Sequence, residues 1–109
     1  MTRRSTRNFI AQRASAVLLL PLVVWFLWSL AAHAGAAPAE MRAYLSAPLN
    51  AALFAFFVVL AAFHMRIGLA EIIEDYVHSG AKGVLLTVNW LVALGVAAAA
   101  LYSLYLLAF

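Results

Sequence analysis

Three long apolar stretches, roughly residues 14–34, 49–70 and 83–108, dominate this chain. Each is long enough to cross a bilayer core, which takes about 20 helical residues. In hydrocarbon every backbone N–H and C=O must be satisfied within the protein, which leaves α-helices or a closed barrel. None of the stretches alternates polar with apolar over the length of a barrel strand. The expected fold is therefore all-α, a membrane protein with three transmembrane helices. The 68% hydrophobic and 10% charged composition lies far outside the balance of a soluble domain. A single membrane domain spans residues 1–109, with 1–13 as a polar lead. Three helices make a thin bundle with few interior positions, so a cofactor calls for helices from another chain as well.

The charges read as topology. Arg3, Arg4, Arg7 and Arg13 precede the first span, and Arg66 and Lys82 border the connection between the second and third. Only Arg42 lies between the first two spans. The positive-inside rule then puts the N-terminus and the second connection in the cytoplasm and the C-terminus on the opposite side. A basic start, an apolar stretch and Ala34-Gly35-Ala36 also resemble a cleavable secretory signal. The stretch is longer than a signal core of about 7–15 residues and contains Trp25 and Trp28, so a retained helix is expected. The net charge of +3 is not gathered on a soluble face, and nucleic acid is not expected as a partner. With no cysteine, the chain itself offers no thiolate ligand or disulfide.

Pro48 suits the start of the second helix, and Ser79-Gly80 suits its end and the following turn. The connection 35–48 is rich in Ala, Gly and Pro, with a stretch around Glu40 to Leu45 suited to the membrane surface. Pro21 inside the first span is tolerable as a kink or near a helix start. Asn89 reads as an interhelical hydrogen-bonding residue. His33 and His78 are expected near the membrane surfaces in solvated or structural roles. Arg66 is expected to extend toward cytoplasmic headgroups.

Chemistry is concentrated between His64 and His78. Ionisable groups at membrane depth are costly and persist mainly where protein, cofactor or water receives them. At 100° per residue, His64, Gly68, Glu71 and Asp75 share one helix face, with Arg66 on the opposite side. His64 lies about 21 Å along its span, inside the bilayer toward the cytoplasmic half. It reads either as a hydrogen-bonded packing histidine or as an axial ligand of haem iron, one imidazole per chain being compatible with a shared site. Gly68, one turn further, would let a flat cofactor or another helix approach the backbone. Asp75 and Tyr76 read as a helix end with an interfacial tyrosine, or as a site where the Tyr76 hydroxyl donates to the carbonyl of a lipid-soluble ligand.

His64-x-x-x-Gly68 followed by Asp75-Tyr76, with Arg13-Ala14-Ser15-Ala16 opening the first of three spans, resembles the hydrophobic membrane-anchor (D) subunit of succinate dehydrogenase. The resemblance implies that His64 supplies one axial ligand to a haem b shared with a sister anchor, the cytochrome b subunit. It implies that Tyr76, with Asp75 beside it, binds ubiquinone. It also implies that Arg13 lies near the haem propionates and that Gly68 admits the ring. The implied partners are the sister anchor, an iron–sulfur subunit, a flavoprotein and membrane lipid. The implied location is a bacterial inner membrane, with the N-terminus cytoplasmic and the C-terminus periplasmic. The chain has no motif for flavin or iron–sulfur binding, so it would not oxidise succinate alone. The competing readings are a fumarate reductase anchor and a structural three-helix protein without cofactor.

Overall fold

The structure, a computed structural model, describes the backbone of residues 3–109 and the side chains from Thr6 onward. The side chains of Arg3 and Arg4, which contribute to the orientation argument, lie outside the described residues. Four helices follow in order: α1 (Arg3–Ala32), α2 (Pro38–Ser46), α3 (Pro48–Tyr76) and α4 (Lys82–Ala108). Three of them contain segments long and apolar enough to span a membrane, Thr6–Ala32, Pro48–Tyr76 and Lys82–Ala108. There is no strand among the described residues, so the all-α, three-span expectation holds.

The helices outrun the apolar stretches. From Arg3 onward the polar lead is helical and continuous with the first span, and α3 continues through its polar end to Tyr76. Hydropathy marks what hydrocarbon accepts, whereas Arg, Gln and Glu propagate a helix readily in water. Pro21 lies inside α1 without ending it. Pro38 and Pro48 open α2 and α3, where a missing N–H costs nothing. Beyond α1, Gly35 turns the chain with φ of 79°, a left-handed conformation that a Cβ would oppose. α3 ends where Val77 becomes extended while still donating its N–H to the Ile73 carbonyl (3.0 Å). The Ser79 hydroxyl then accepts the Ala81 N–H (3.2 Å), shaping the turn into α4.

α3 is the middle helix. α1 and α4 pack on either side of it and, among the described residues, not on each other, while α2 packs on α3 and α4. The result is an open helical layer of 51 × 25 × 21 Å. The face of α1 toward α3 is built from Gln12, Ser15, Leu19, Leu22, Phe26 and Ser29, which recur in steps of three and four. That spacing keeps one stripe of a helix against its neighbour. Its partners on α3 run in the opposite order: Gln12 faces Gly68, Ser15 meets His64, and Phe26 meets Phe57 and Phe54.

On the other side of α3, buried Asn89 donates from Nδ2 to the backbone carbonyl of Arg66 (2.9 Å). This is the interhelical hydrogen bond expected of it. The Arg66 guanidinium does not extend away to headgroups as expected. It lies 3.9 Å from the ring centre of Trp90 and 5.2 Å from that of Phe63, because an aromatic face offers a cation compensation within apolar surroundings. Large side chains such as Leu20, Val24, Trp28, Leu91 and Leu94 point outward. Lipid is as apolar as leucine, so the helices are held by close packing and interhelical hydrogen bonds instead of by exclusion of water.

Candidate functional site

The half-buried His64 faces α1. Its Nδ1 lies 2.7 Å from the hydroxyl of Ser15, a residue only 3% exposed. The same hydroxyl reaches the Gln12 carbonyl one turn earlier in α1 (3.0 Å). Nε2 makes no hydrogen bond to another described residue. His64 also lines a cleft of ≈ 330 Å³ whose other walls are Phe9, Gln12, Arg13 and Ala16 of α1. One ring nitrogen is thus tethered, and the ring borders open space.

Arg13 lines that cleft and is exposed, with its guanidinium 5.4 Å from the ring centre of Phe9. A planar fork of donors at the mouth of a cleft is well suited to a carboxylate. Gly68 lies one turn beyond His64 on the same face. A Cβ built there would come 3.6 Å from Gln12 Nε2, so the close neighbour of this glycine is a glutamine side chain of α1. His64, Arg13 and Gly68, far apart or differently placed in the sequence, therefore belong to one region along the α1–α3 seam, with Gln12 and Ser15 between them.

Asp75 and Tyr76 form a second region at the end of α3. Both are exposed, Tyr76 by 78%, and neither side chain hydrogen-bonds another described residue. The twelve-residue interval from His64 corresponds to about 18 Å along a helix. Next to them, Glu74 Oε2 and Lys82 Nζ approach to 3.6 Å across the α3–α4 turn. The Tyr76 phenol offers one donor and the Asp75 carboxylate an acceptor at a wet helix end. This pair is separate from the cleft, and the structure brings no second helix over it among the described residues.

At the opposite end of the α1–α3 pair the polar groups are closed on one another. Ser29 Oγ and Tyr44 Oη are 2.6 Å apart, His33 Nδ1 donates to the Ser29 carbonyl (2.9 Å), and the His33 and Tyr44 rings lie against each other, 3.9 Å between centres and tilted by 33°. Trp25 and Phe54 (4.7 Å) and Phe26 and Phe57 (4.9 Å) continue the packing. His33 is thus structural, as expected.

A family model described as "Succinate dehydrogenase/Fumarate reductase transmembrane subunit" matches residues 3–104, nearly the whole chain. The chain belongs to this family. The match takes in α1, α2, α3 and all but the last turn of α4, including the His64 region and the Asp75-Tyr76 end. The chain is also similar to the succinate dehydrogenase hydrophobic membrane anchor subunit of Paracoccus denitrificans, with 29% identity over 91% of this chain and 77% of that protein. No solved structure matches it. As a transmembrane subunit of the succinate dehydrogenase/fumarate reductase family, with three apolar helices, it is a multi-pass membrane protein.

Within this family member, Ser15, Gln12 and Tyr44 stand out only in the structure. Ser15 lies inside the Arg13-Ala14-Ser15-Ala16 motif, where the resemblance implies a role for Arg13 alone. Its signal was present: Gln12, Ser15 and Ser29 are polar residues on the one stripe of α1 that faces α3. Tyr44 carried no such signal, because its contacts depend on how α2 folds back across the ends of α1 and α3.

Proposed function

We propose that this chain is the hydrophobic anchor of a succinate:quinone oxidoreductase, holding a flavoprotein and an iron–sulfur subunit on the cytoplasmic face of a bacterial inner membrane. The single observation that carries its cofactor role is the state of His64, held at Nδ1 and bordering a cleft that Arg13 also lines. Among the described residues no three His, Asp or Glu side chains converge as a metal site. A lone imidazole suits iron already held in a macrocycle, where the protein supplies only axial positions. The residues fit a b-type haem, which when bound supplies a one-electron redox centre. His64 would supply a nitrogen to the iron and Arg13 would pair with a propionate. The open layer of α1, α3 and α4 leaves the second ligand to a sister anchor.

In the same reading, Tyr76 donates its phenolic hydrogen to a ubiquinone carbonyl, and Asp75 orients the surroundings and stays within reach of water for the protons that quinone reduction consumes. The arginines of the α1 lead and Lys82 set these groups on the cytoplasmic side, with the C-terminus in the periplasm. A fumarate-reducing complex would use the same residues in the opposite direction.

The deciding experiment is the reduced optical spectrum of the purified complex. A low-spin b-type spectrum that is lost in His64→Ala is the expected result. An unchanged spectrum and midpoint potential in that variant would leave His64 as a packing residue, as in a structural three-helix protein without cofactor.

A further inference from the structure

The Ser15 hydroxyl has two neighbours and a single hydrogen to offer. Gln12 O, a backbone carbonyl at 3.0 Å, can only accept. His64 Nδ1, at 2.7 Å, either accepts or donates according to the tautomer. If Ser15 donated to Nδ1, its oxygen and the Gln12 carbonyl would face each other at hydrogen-bond distance with no hydrogen between them. If Ser15 donates to Gln12, then Nδ1–H donates to Ser15 Oγ and both contacts are hydrogen bonds. The Ser15 hydroxyl is itself buried, 3% exposed, where a contact left without a hydrogen is costly. The second arrangement leaves Nε2 with its lone pair unprotonated.

We propose that Ser15 is a positioning residue that selects the Nδ1–H tautomer of His64, so that Nε2 is ready to bind a metal centre before any cofactor arrives. Neutral imidazole in water favours the hydrogen on Nε2, so the protein imposes the less common tautomer. His33 shows the same principle in simpler form, since its Nδ1 faces the Ser29 carbonyl at 2.9 Å and must carry the hydrogen there. At His64 the acceptor is a hydroxyl polarised by the Gln12 carbonyl. That relay extends from the helix backbone to the ring and raises the donor strength of Nε2 toward iron. The consequence for haem rests on the function proposed above; the tautomer itself does not.

The test has two arms. The full chain, without haem and labelled with 15N at histidine, is studied in bicelles at alkaline pH, where imidazole is neutral. His64 is expected to show Nδ1 protonated, with His33 as an internal standard for that state, and Ser15→Ala should move His64 toward Nε2–H. His64 found as Nε2–H in the wild type, or unmoved by Ser15→Ala, overturns the proposal. In the assembled complex, Ser15→Ala should weaken haem retention roughly 10- to 100-fold and raise the midpoint potential, because a less electron-rich imidazole stabilises ferric iron less. Ser15→Thr, which keeps the hydroxyl, should restore both. Retention and potential equal to wild type in Ser15→Ala also overturn it. A complex that carries no haem on His64 while the 15N result holds would instead remove the haem reading and leave the tautomer assignment standing.

Discussion

The two ends of the α1–α3 pair use the same residue types to opposite effect. At one end Ser29, His33 and Tyr44 use one another's hydrogen-bonding groups, with the His33 and Tyr44 rings in contact. At the other, Ser15 holds one nitrogen of His64, and the ring and Arg13 border a cleft. A histidine in an apolar helix bundle is therefore not informative by type. Each imidazole is held at Nδ1, and what separates them is what lies against the ring: an aromatic side chain at His33 and a cleft at His64. The Tyr44 ring, itself packed on Phe54, fills the space beside His33, whereas small Ala16 lines the cleft beside His64.

The largest effect that could break this contrast is on the cofactor spectrum. His33→Ala should keep a full b-type spectrum in the purified complex while lowering its thermal midpoint in detergent, and His64→Ala should do the reverse. If the His33 variant loses haem while its fold, followed by circular dichroism, is intact, the division between a closed and an open end is wrong.

Next in size is the aromatic packing. Phe54 touches the rings of Trp25, Phe26 and Tyr44. Ring pairs contribute about 0.5–1.5 kcal/mol each and do not add fully, so Phe54→Ala should destabilise the chain by roughly 1–3 kcal/mol in reversible detergent unfolding. Haem content of the surviving complex should be normal. Truncation of Phe9 at the open end should show the converse, a smaller loss of stability with weaker haem retention.

Tyr76 tests whether the exposed end of α3 belongs to the cleft or acts separately. Tyr76→Phe removes one hydrogen bond, worth about 0.5–1.5 kcal/mol, hence roughly 2- to 13-fold in quinone affinity. Succinate-to-ubiquinone turnover at limiting quinone should fall accordingly, while reduction of an artificial acceptor by the soluble subunits and the haem spectrum stay as in the wild type. Equal loss of both activities would point to failed assembly, and no loss would remove Tyr76 from the quinone site.

The smallest expected effect lies on the other side of α3. Asn89→Leu deletes the bond to the Arg66 carbonyl, and such interhelical bonds average about 0.6 kcal/mol in membrane proteins. A modest fall in unfolding midpoint with unaltered haem and turnover is expected. A large functional defect would show that the α3–α4 seam contributes to the site through Arg66 and Trp90.

The number of membrane-crossing helices, the all-α character and the opposite orientation of His64 and Arg66 on α3 were determined by the sequence alone. Hydrocarbon forbids unsatisfied backbone, and the 100° helical repeat assigns each residue to a face without reference to any neighbour. The single hydrogen bond of Asn89 was legible for the same reason, a polar amide within an apolar span having few alternatives. Which neighbour each face meets required the tertiary structure. The stripe Gln12, Ser15, Leu19, Leu22, Phe26, Ser29 can be counted in the sequence, but its antiparallel register against α3 comes from close packing along both helices. That register puts Ser15 on His64 and Gln12 on Gly68. Arg66 went the same way: its length and charge allow it to reach headgroups, and only the approach of α4 supplied the Trp90 ring on which it rests. Local physics decides what each residue can do in a membrane, and the distance to its neighbours on another helix decides which of those things it does.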